Sequence, residues 1–158
     1  MTPTTPAQPA ASPGPAPTME QVLTDYTAMR EEMVSALAGA LGERAWRESP
    51  NSPGLRRSRV GGADPAAEQV GLVTWSFEGT YAVDAWHGAA RLVAEVGRRH
   101  HFTDGGITVD RPGDLEIFGV DAHGGRYTFG MATNTILTLR TGPHRWEHPP
   151  EPADQQPT

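Results

Sequence analysis

The chain has 158 residues, a net charge of −6 and no cysteine, which bounds it to one domain of ordinary size. Without cysteine it makes no disulfide, zinc-thiolate site, iron–sulfur cluster or thiol nucleophile. All thirteen basic residues are Arg, the codon bias expected of a high-GC genome, and they form no basic field suited to nucleic acid.

Residues 1–17 are rich in Pro, Ala and Thr, with no charged side chain and hardly a large apolar group. Such a segment cannot bury enough surface to offset its ordering entropy and is expected to be a disordered, partly extended tether. No signal peptide is recognisable at its start, and no run in the chain approaches the ~20 apolar residues of a transmembrane span. Residues 147–158 read as a disordered, Pro-rich acidic tail. The single domain is expected over 18–146.

Thr18-Met19-Glu20-Gln21 has the T-x-x-Q form of a capping box. Val22, Tyr26, Met29, Met33, Leu37 and Leu41 then recur at steps of three and four, the apolar stripe of an amphipathic helix. Gly42 is a natural stop. Residues 43–69 read as irregular, since Ser49-Pro50-Asn51-Ser52-Pro53-Gly54 and Gly61-Gly62-Ala63-Asp64-Pro65 both interrupt regular structure. Between them lie Arg56, Arg57 and Arg59, three guanidinium groups able to hold a phosphate or carboxylate. A solvated charged loop is the commoner meaning of such a cluster.

Val70 to Phe77 reads as one strand with apolar residues on both faces, a pattern of interior strands. Ala82 to Arg99 reads as a second helix, with Trp86, Ala89, Ala90, Val93, Val96 and Gly97 on its buried side. A short strand over Gly106–Arg111 follows, closed by Arg111-Pro112-Gly113-Asp114, a turn with Pro at its second position. Asp114 to Thr141 is a three-strand antiparallel meander. Tyr127, Phe129 and Met131 alternate with Arg126, Thr128 and Gly130, so one face is apolar and the other polar. The expected fold is α+β, of order α-β-α-β-β-β-β: a two-layer sandwich with two helices on one face of a mostly antiparallel five-stranded sheet.

Chemistry is harder to locate. His100 and His101 are adjacent and point apart just past a helix end, His87 is isolated, and His144 and His148 sit at the mouth of the Pro-rich tail. No metal site is expected from these spacings. No Ser lies in a nucleophile elbow, and Gly61-Gly62 and Gly124-Gly125 are turn glycines rather than phosphate loops. Asp110, Asp114, Glu116 and Asp121 mark strand ends and turns, where such side chains bond local backbone. No catalytic residue and no cofactor are assigned. Arg56, Arg57 and Arg59 remain the weak candidates for ligand binding.

Three stretches carry a family resemblance. They are M-V-S-A-L-A-G-A-L-G-E-R-A-W (Met33 to Trp46), A-W-H-G-A-A-R-L-V-A-E-V-G-R-R-H-H-F (Ala85 to Phe102) and D-R-P-G-D-L-E-I-F-G-V-D-A-H-G-G-R-Y-T-F-G-M (Asp110 to Met131). L-T-L-R-T-G closes the pattern at Gly142. Over Tyr26–Trp146 the chain resembles the LppA-like lipoproteins of actinobacteria. The resemblance implies a cell-envelope protein of unknown molecular activity, carried on a lipidated N-terminal cysteine. This chain has no lipobox cysteine, so as written it cannot carry that anchor. Its Pro/Ala/Thr start looks like the tether that follows one.

The family pattern also suggests a cysteine near Val60 or Gly61 and another just after T-G, where Pro143-His144 stand. A bridge there would close a loop of ~80 residues and contribute ~4–5 kcal/mol. Without it the 47–69 loop is expected to be mobile. The Pro-rich spacer, the absence of a catalytic constellation and the resemblance together point to a non-enzymatic binding or interaction module, whose partner is unknown and would be another envelope protein. The literal N-terminus gives an alternative, an unanchored cytosolic interaction domain. A third reading is an enzyme or anion-binding protein using Arg56, Arg57 and Arg59.

Overall fold

The structure is a computed structural model and describes residues 17–49, 56–59, 64–111 and 113–149. The Pro/Ala/Thr-rich segment through residue 16, residues 150–158 of the C-terminal tail, and Val60 and Gly61, where the resemblance suggests a cysteine, lie outside the described residues.

Helix α1 (Met19–Leu41) begins with the expected reciprocal cap. Thr18 Oγ1 accepts from the Gln21 amide at 3.2 Å, and Gln21 Oε1 accepts from the Thr18 amide at 2.8 Å. Its buried face is Met19, Val22, Tyr26, Met29, Met33 and Leu37, and Gly42 ends it at φ 96°. Helix α2 (Trp86–Arg99) follows one 3-10 turn, Val83–Ala85, and buries Trp86, Ala89, Val93, Val96 and Gly97.

Among the described residues nine strands form one sheet in which every pairing is antiparallel: β1 (Arg47–Glu48), β2 (Arg56–Arg59), β3 (Ala67–Gly71), β4 (Trp75–Glu78), β5 (Phe102–Arg111), β6 (Asp114–Asp121), β7 (Arg126–Met131), β8 (Asn134–Arg140) and β9 (His144–Arg145). Along the main path the order is β1-β4-β8-β7-β6-β5, with β3 beside the end of β8 and joined to β2 and β9. The α+β class and the meander are as expected. The sheet is larger than the five strands expected, for three reasons.

First, Val70–Phe77 is two strands on the same side of β8. Leu72 still donates to the Leu139 carbonyl at 3.0 Å, but the Val73 and Thr74 carbonyls turn away. Val73 accepts from Arg30 Nη1 at 3.3 Å and Thr74 from the Ser49 amide at 2.7 Å, so the ladder is interrupted there. Second, the region 43–69 is not irregular throughout. Its described part contains β1, which pairs with β4, and β2, which pairs with β3 from Arg56↔Gly71 to Arg59↔Glu68. Non-local pairing supplies order that composition alone hides. Third, β9 pairs with β3 where only the mouth of a tail was expected. One of the five expected strands, β5, is also longer than expected, because it starts at Phe102 and absorbs Gly105-Gly106 through register shifts between Asp104/Gly106 and Ile107/Val109, which interrupt the alternation a strand is read from.

The core lies between the helices and the apolar face of the sheet. Trp86 of α2 stacks on Phe129 of β7 with centroids 5.3 Å apart. Tyr26 of α1 meets Phe102 at 5.2 Å, and Phe102 meets Tyr127 at 5.6 Å. Phe129, Leu137, Met29, Met33 and Val93 are fully buried, each contributing ~1.5–3 kcal/mol from apolar burial. Beyond β9, the Glu20 carboxylate accepts from the amides of Glu147 and His148, both at 2.8 Å. The residues entering α1 and those following β9 are thereby held side by side.

Candidate functional site

A cleft of about 390 Å³ opens where four elements meet. The first two turns of α1 supply Gln21, Val22, Asp25 and Tyr26; the end of α2 supplies His100 and His101; the β6–β7 hairpin supplies Asp121, Ala122 and His123; β9 supplies His144. Pro17, the residue before the α1 cap, completes the wall.

The hairpin is built around Asp121. Its Oδ1 accepts from the amides of His123 at 2.9 Å and Gly125 at 2.7 Å, the local closure for which Asp is favoured in turns. Its Oδ2 accepts from Tyr26 Oη. Burial first, and then this bond, push the Tyr26 phenol far above its ordinary range. Gly125 must be glycine for a steric reason: a Cβ there would occupy the place of Tyr26 Oη. Gly142 is bound in the same way by the His123 carbonyl. Two glycines thus let the hairpin close against both α1 and the β8–β9 connection.

His100 sits between two carboxylates. Its Nδ1 lies 3.0 Å from Asp25 Oδ1 and its Nε2 lies 2.6 Å from Glu32 Oε1, while Arg99 reaches Glu32 Oε2 at 3.0 Å. A ring with an acceptor on each nitrogen is doubly protonated. Burial works against that charge, but the bonds to Glu32 and Asp25 outweigh it and hold the imidazolium above its usual range.

His144 is the opposite case. It is only 3% exposed. Its Nδ1 lies 3.0 Å from the Pro17 carbonyl, and its Nε2 is buried without a partner. Burial lowers its basicity, so the ring is neutral, with the proton on Nδ1 and the lone pair on Nε2. The His123 ring stands against it with centroids 5.3 Å apart.

Arg56, Arg57 and Arg59 do not line this cleft. They lie on β2, where Arg57 forms a two-pronged bond to Glu68 (Nε–Oε1 2.8 Å, Nη2–Oε2 3.0 Å) and stands over the Trp146 ring at 5.3 Å. Trp146 Nε1 donates to the same carboxylate at 2.9 Å. Arg59 reaches the Pro65 carbonyl at 3.4 Å. Sequence reading identified Asp121 as a turn carboxylate and His100 as a residue past a helix end. It did not bring them together with Tyr26 and His144, because the cleft joins positions more than a hundred residues apart. The available signal was Tyr26 itself, a polar-tipped ring on a stripe of methionines that needs a buried acceptor.

Among the described residues no group of three or more His, Asp or Glu is placed to hold a metal ion, and no helix is long and apolar enough to cross a membrane. The crystal structure of the putative lipoprotein LppA from Mycobacterium tuberculosis superposes with a TM-score of 0.68 at 13% identity, over 90% of this chain and 87% of that one. A DUF4853 family protein from Actinomyces odontolyticus ATCC 17982 superposes with a TM-score of 0.57 at 12% identity, over 89% of this chain and 76% of that one. At such identities these likenesses establish the fold alone. No curated protein sequence matches the chain. A family model described as "LppA: Lipoprotein confined to pathogenic Mycobacterium" matches residues 1–144, and the chain therefore belongs to the LppA lipoprotein family, whose molecular function is unknown.

Proposed function

We propose that the chain is a non-enzymatic binding module of the cell envelope that takes its ligand in the cleft between α1, the end of α2, the β6–β7 hairpin and β9. The envelope setting is supported by the family of lipoproteins to which the chain belongs. The observation that carries the binding reading is the cleft itself, about 390 Å³ where four elements meet, with apolar Pro17, Val22 and Ala122 beside the polar side chains of Asp25, Tyr26 and Asp121. A concave, partly apolar pocket with a few convergent polar groups is the usual form of a small-ligand site.

The chemistry of the wall argues for holding rather than transforming a ligand. Asp121 already accepts from three donors. The Tyr26 phenol is held protonated, and His100 is spent between two carboxylates. None of the three is poised as a general base. A second reading, an anion held by Arg56, Arg57 and Arg59, is weaker, because the Arg57 charge is already neutralised by Glu68.

The test is a thermal-shift screen of small soluble compounds on the full chain and on Ala122→Trp, which places a bulky ring at an exposed position of the cleft wall. Ligands of the cleft should stabilise the parent by mass action and lose that effect in the variant. Hits that survive the substitution place binding elsewhere. A hit recovered chemically altered by mass spectrometry rejects the non-enzymatic reading.

A further inference from the structure

The helices cover one face of the sheet, and the other face carries a row of positive charge. Register places Val120 beside Arg126, Arg126 beside Arg140, Arg140 beside Gly71, and Gly71 beside Arg56. Tyr127, Leu139 and Val70, the neighbours in sequence of Arg126, Arg140 and Gly71, are buried in the core. By the alternation of strands the row therefore points away from the helices. Arg57 and Arg59 pair with Val70 and Glu68 and face the other way. Of the β2 arginines it is Arg56 that joins the row.

Among the described residues no carboxylate pairs with Arg56, Arg126 or Arg140. The ion pairs of the domain engage Arg47, Arg57, Arg99, Arg111 and Arg145 instead. Arg126 lies over the Phe118 ring at 3.9 Å, a contact that engages the face of the guanidinium and leaves its N–H edge to bond outward. Arg126 and Arg140 are directly opposite on neighbouring strands, where like charges destabilise a sheet. The acids of this face stand apart. Glu78 meets Arg47 at 3.7 Å, and Glu116 lies four residues along β6 from Val120, ~13 Å at ~3.3 Å per residue. A Cβ at Gly71 would meet nothing within 4 Å, so the floor between Arg140 and Arg56 is open.

We propose that this face docks an extended acidic segment of a partner protein, laid across the strands with its carboxylates on Arg126, Arg140 and Arg56. Three strand spacings of ~4.8 Å separate Arg126 from Arg56, ~14 Å in all. Alternate side chains of an extended chain project to one side every ~6.6 Å, so carboxylates at three alternate positions span ~13 Å. Each guanidinium offers a carboxylate a planar, two-pronged partner. A single file of charge on a face that also bears Glu78 and Glu116 suits an anionic bilayer poorly, since a bilayer meets the whole face at once. Nucleic acid needs free stacking platforms, and the ring beside the row, Phe118, lies under Arg126. The surface is independent of the cleft, which lies on the helix side of the sheet.

The probe is the acetylated, amidated heptapeptide Ser-Glu-Ser-Glu-Ser-Glu-Ser, titrated into the full chain at low ionic strength, with its Gln-for-Glu counterpart as control. The expected result is a saturable shift of the Nε–H resonances of Arg56, Arg126 and Arg140 with the Glu peptide alone, fading as salt is added. Arg126→Gln and Arg140→Gln should each weaken binding roughly threefold or more, the range of an exposed ion pair. Arg91→Gln, the same charge change on α2, should leave it unaltered. Gly71→Glu, which sets a carboxylate in the open floor, should abolish it. If a variant does not fold, the Nε–H resonances of the parent decide by themselves.

Resonances unmoved by the Glu peptide, or moved equally by the Gln peptide, overturn the proposal, as does a loss with Arg91→Gln equal to that with Arg140→Gln. Binding that appears only when the full chain carries Glu151→Gln and Asp154→Asn would assign the row to the chain's own acidic tail and overturn it too. So would sedimentation with phosphatidylglycerol vesicles, lost in Arg140→Gln, without any binding of the peptide.

Discussion

Tyr26 and Asp121 lie 95 positions apart and share one hydrogen bond that fastens α1 to the end of β6. The Tyr26 ring also packs on Phe102, so Tyr26→Phe removes the bond and keeps the ring. The expected loss is about 2 kcal/mol, the usual worth of a hydrogen bond to a charged group. Urea unfolding of parent and variant measures it, and a loss below about 0.5 kcal/mol would mean that water replaces the phenol without penalty.

Stability should fall as pH rises through the neutral range because of His100. Its folded basicity is raised, so its contribution is complete below the ordinary histidine value of about 6.5 and is lost as pH climbs through the higher folded value. Glu32, lowered by its bonds to His100 and Arg99, contributes in the opposite sense, above the ordinary carboxylate range of about 4.3. Their shared contribution is therefore greatest between those values. Denaturation midpoints measured across this window should decline towards alkaline pH in the parent and flatten in His100→Gln. Parallel curves for the two proteins would refute the assignment.

Gly125→Ala should be among the most damaging single-methyl additions in the chain. The added Cβ has no room beside Tyr26 Oη and Asp121 Oδ2, so the hairpin must move away from α1. A loss of about 1–3 kcal/mol is expected for such overpacking. Adding Tyr26→Phe, which deletes the clashing oxygen, should recover part of it. Strictly additive losses in the double variant would show that the steric account is wrong.

Glu68 joins Arg57 and Trp146, and it is Arg57 first that holds its carboxyl below the usual range. Both charged side chains are mostly buried, at 17% and 15% exposure. Glu68→Ala should therefore cost about 2 kcal/mol or more by leaving the guanidinium without its two-pronged partner. The amides of Arg56–Arg59 should exchange slowly alongside β3 in the parent and accelerate selectively in the variant. Fast exchange there in the parent would favour the mobile loop implied by the missing cysteines.

The parts of the fold legible in sequence are those decided by local period. The capping box at Thr18, the stripe from Val22 to Leu37 and the alternation of Tyr127, Phe129 and Met131 each encode their environment within a few residues. The parts missed depend on partners far along the chain. Arg56–Arg59 pairs as a strand with Glu68–Gly71, and at the break the Val73 carbonyl accepts from Arg30 instead of from the ladder. His144, two residues before Trp146, reads as part of an exposed tail until Pro17 and His123 are placed around it. The candidate cleft was illegible for the same reason, and of the arginines that stood out in sequence Arg57 is committed to Glu68.

The Glu20 clamp on the amides of Glu147 and His148 has a consequence for how the domain can be mounted. Because entry and exit strands of chain leave from one spot, the domain behaves as a pendant with a single stem. Grafted into a surface loop of another protein, or suspended from either terminus, it would present the same aspect. Pro17, in the wall of the cleft, sits at that stem.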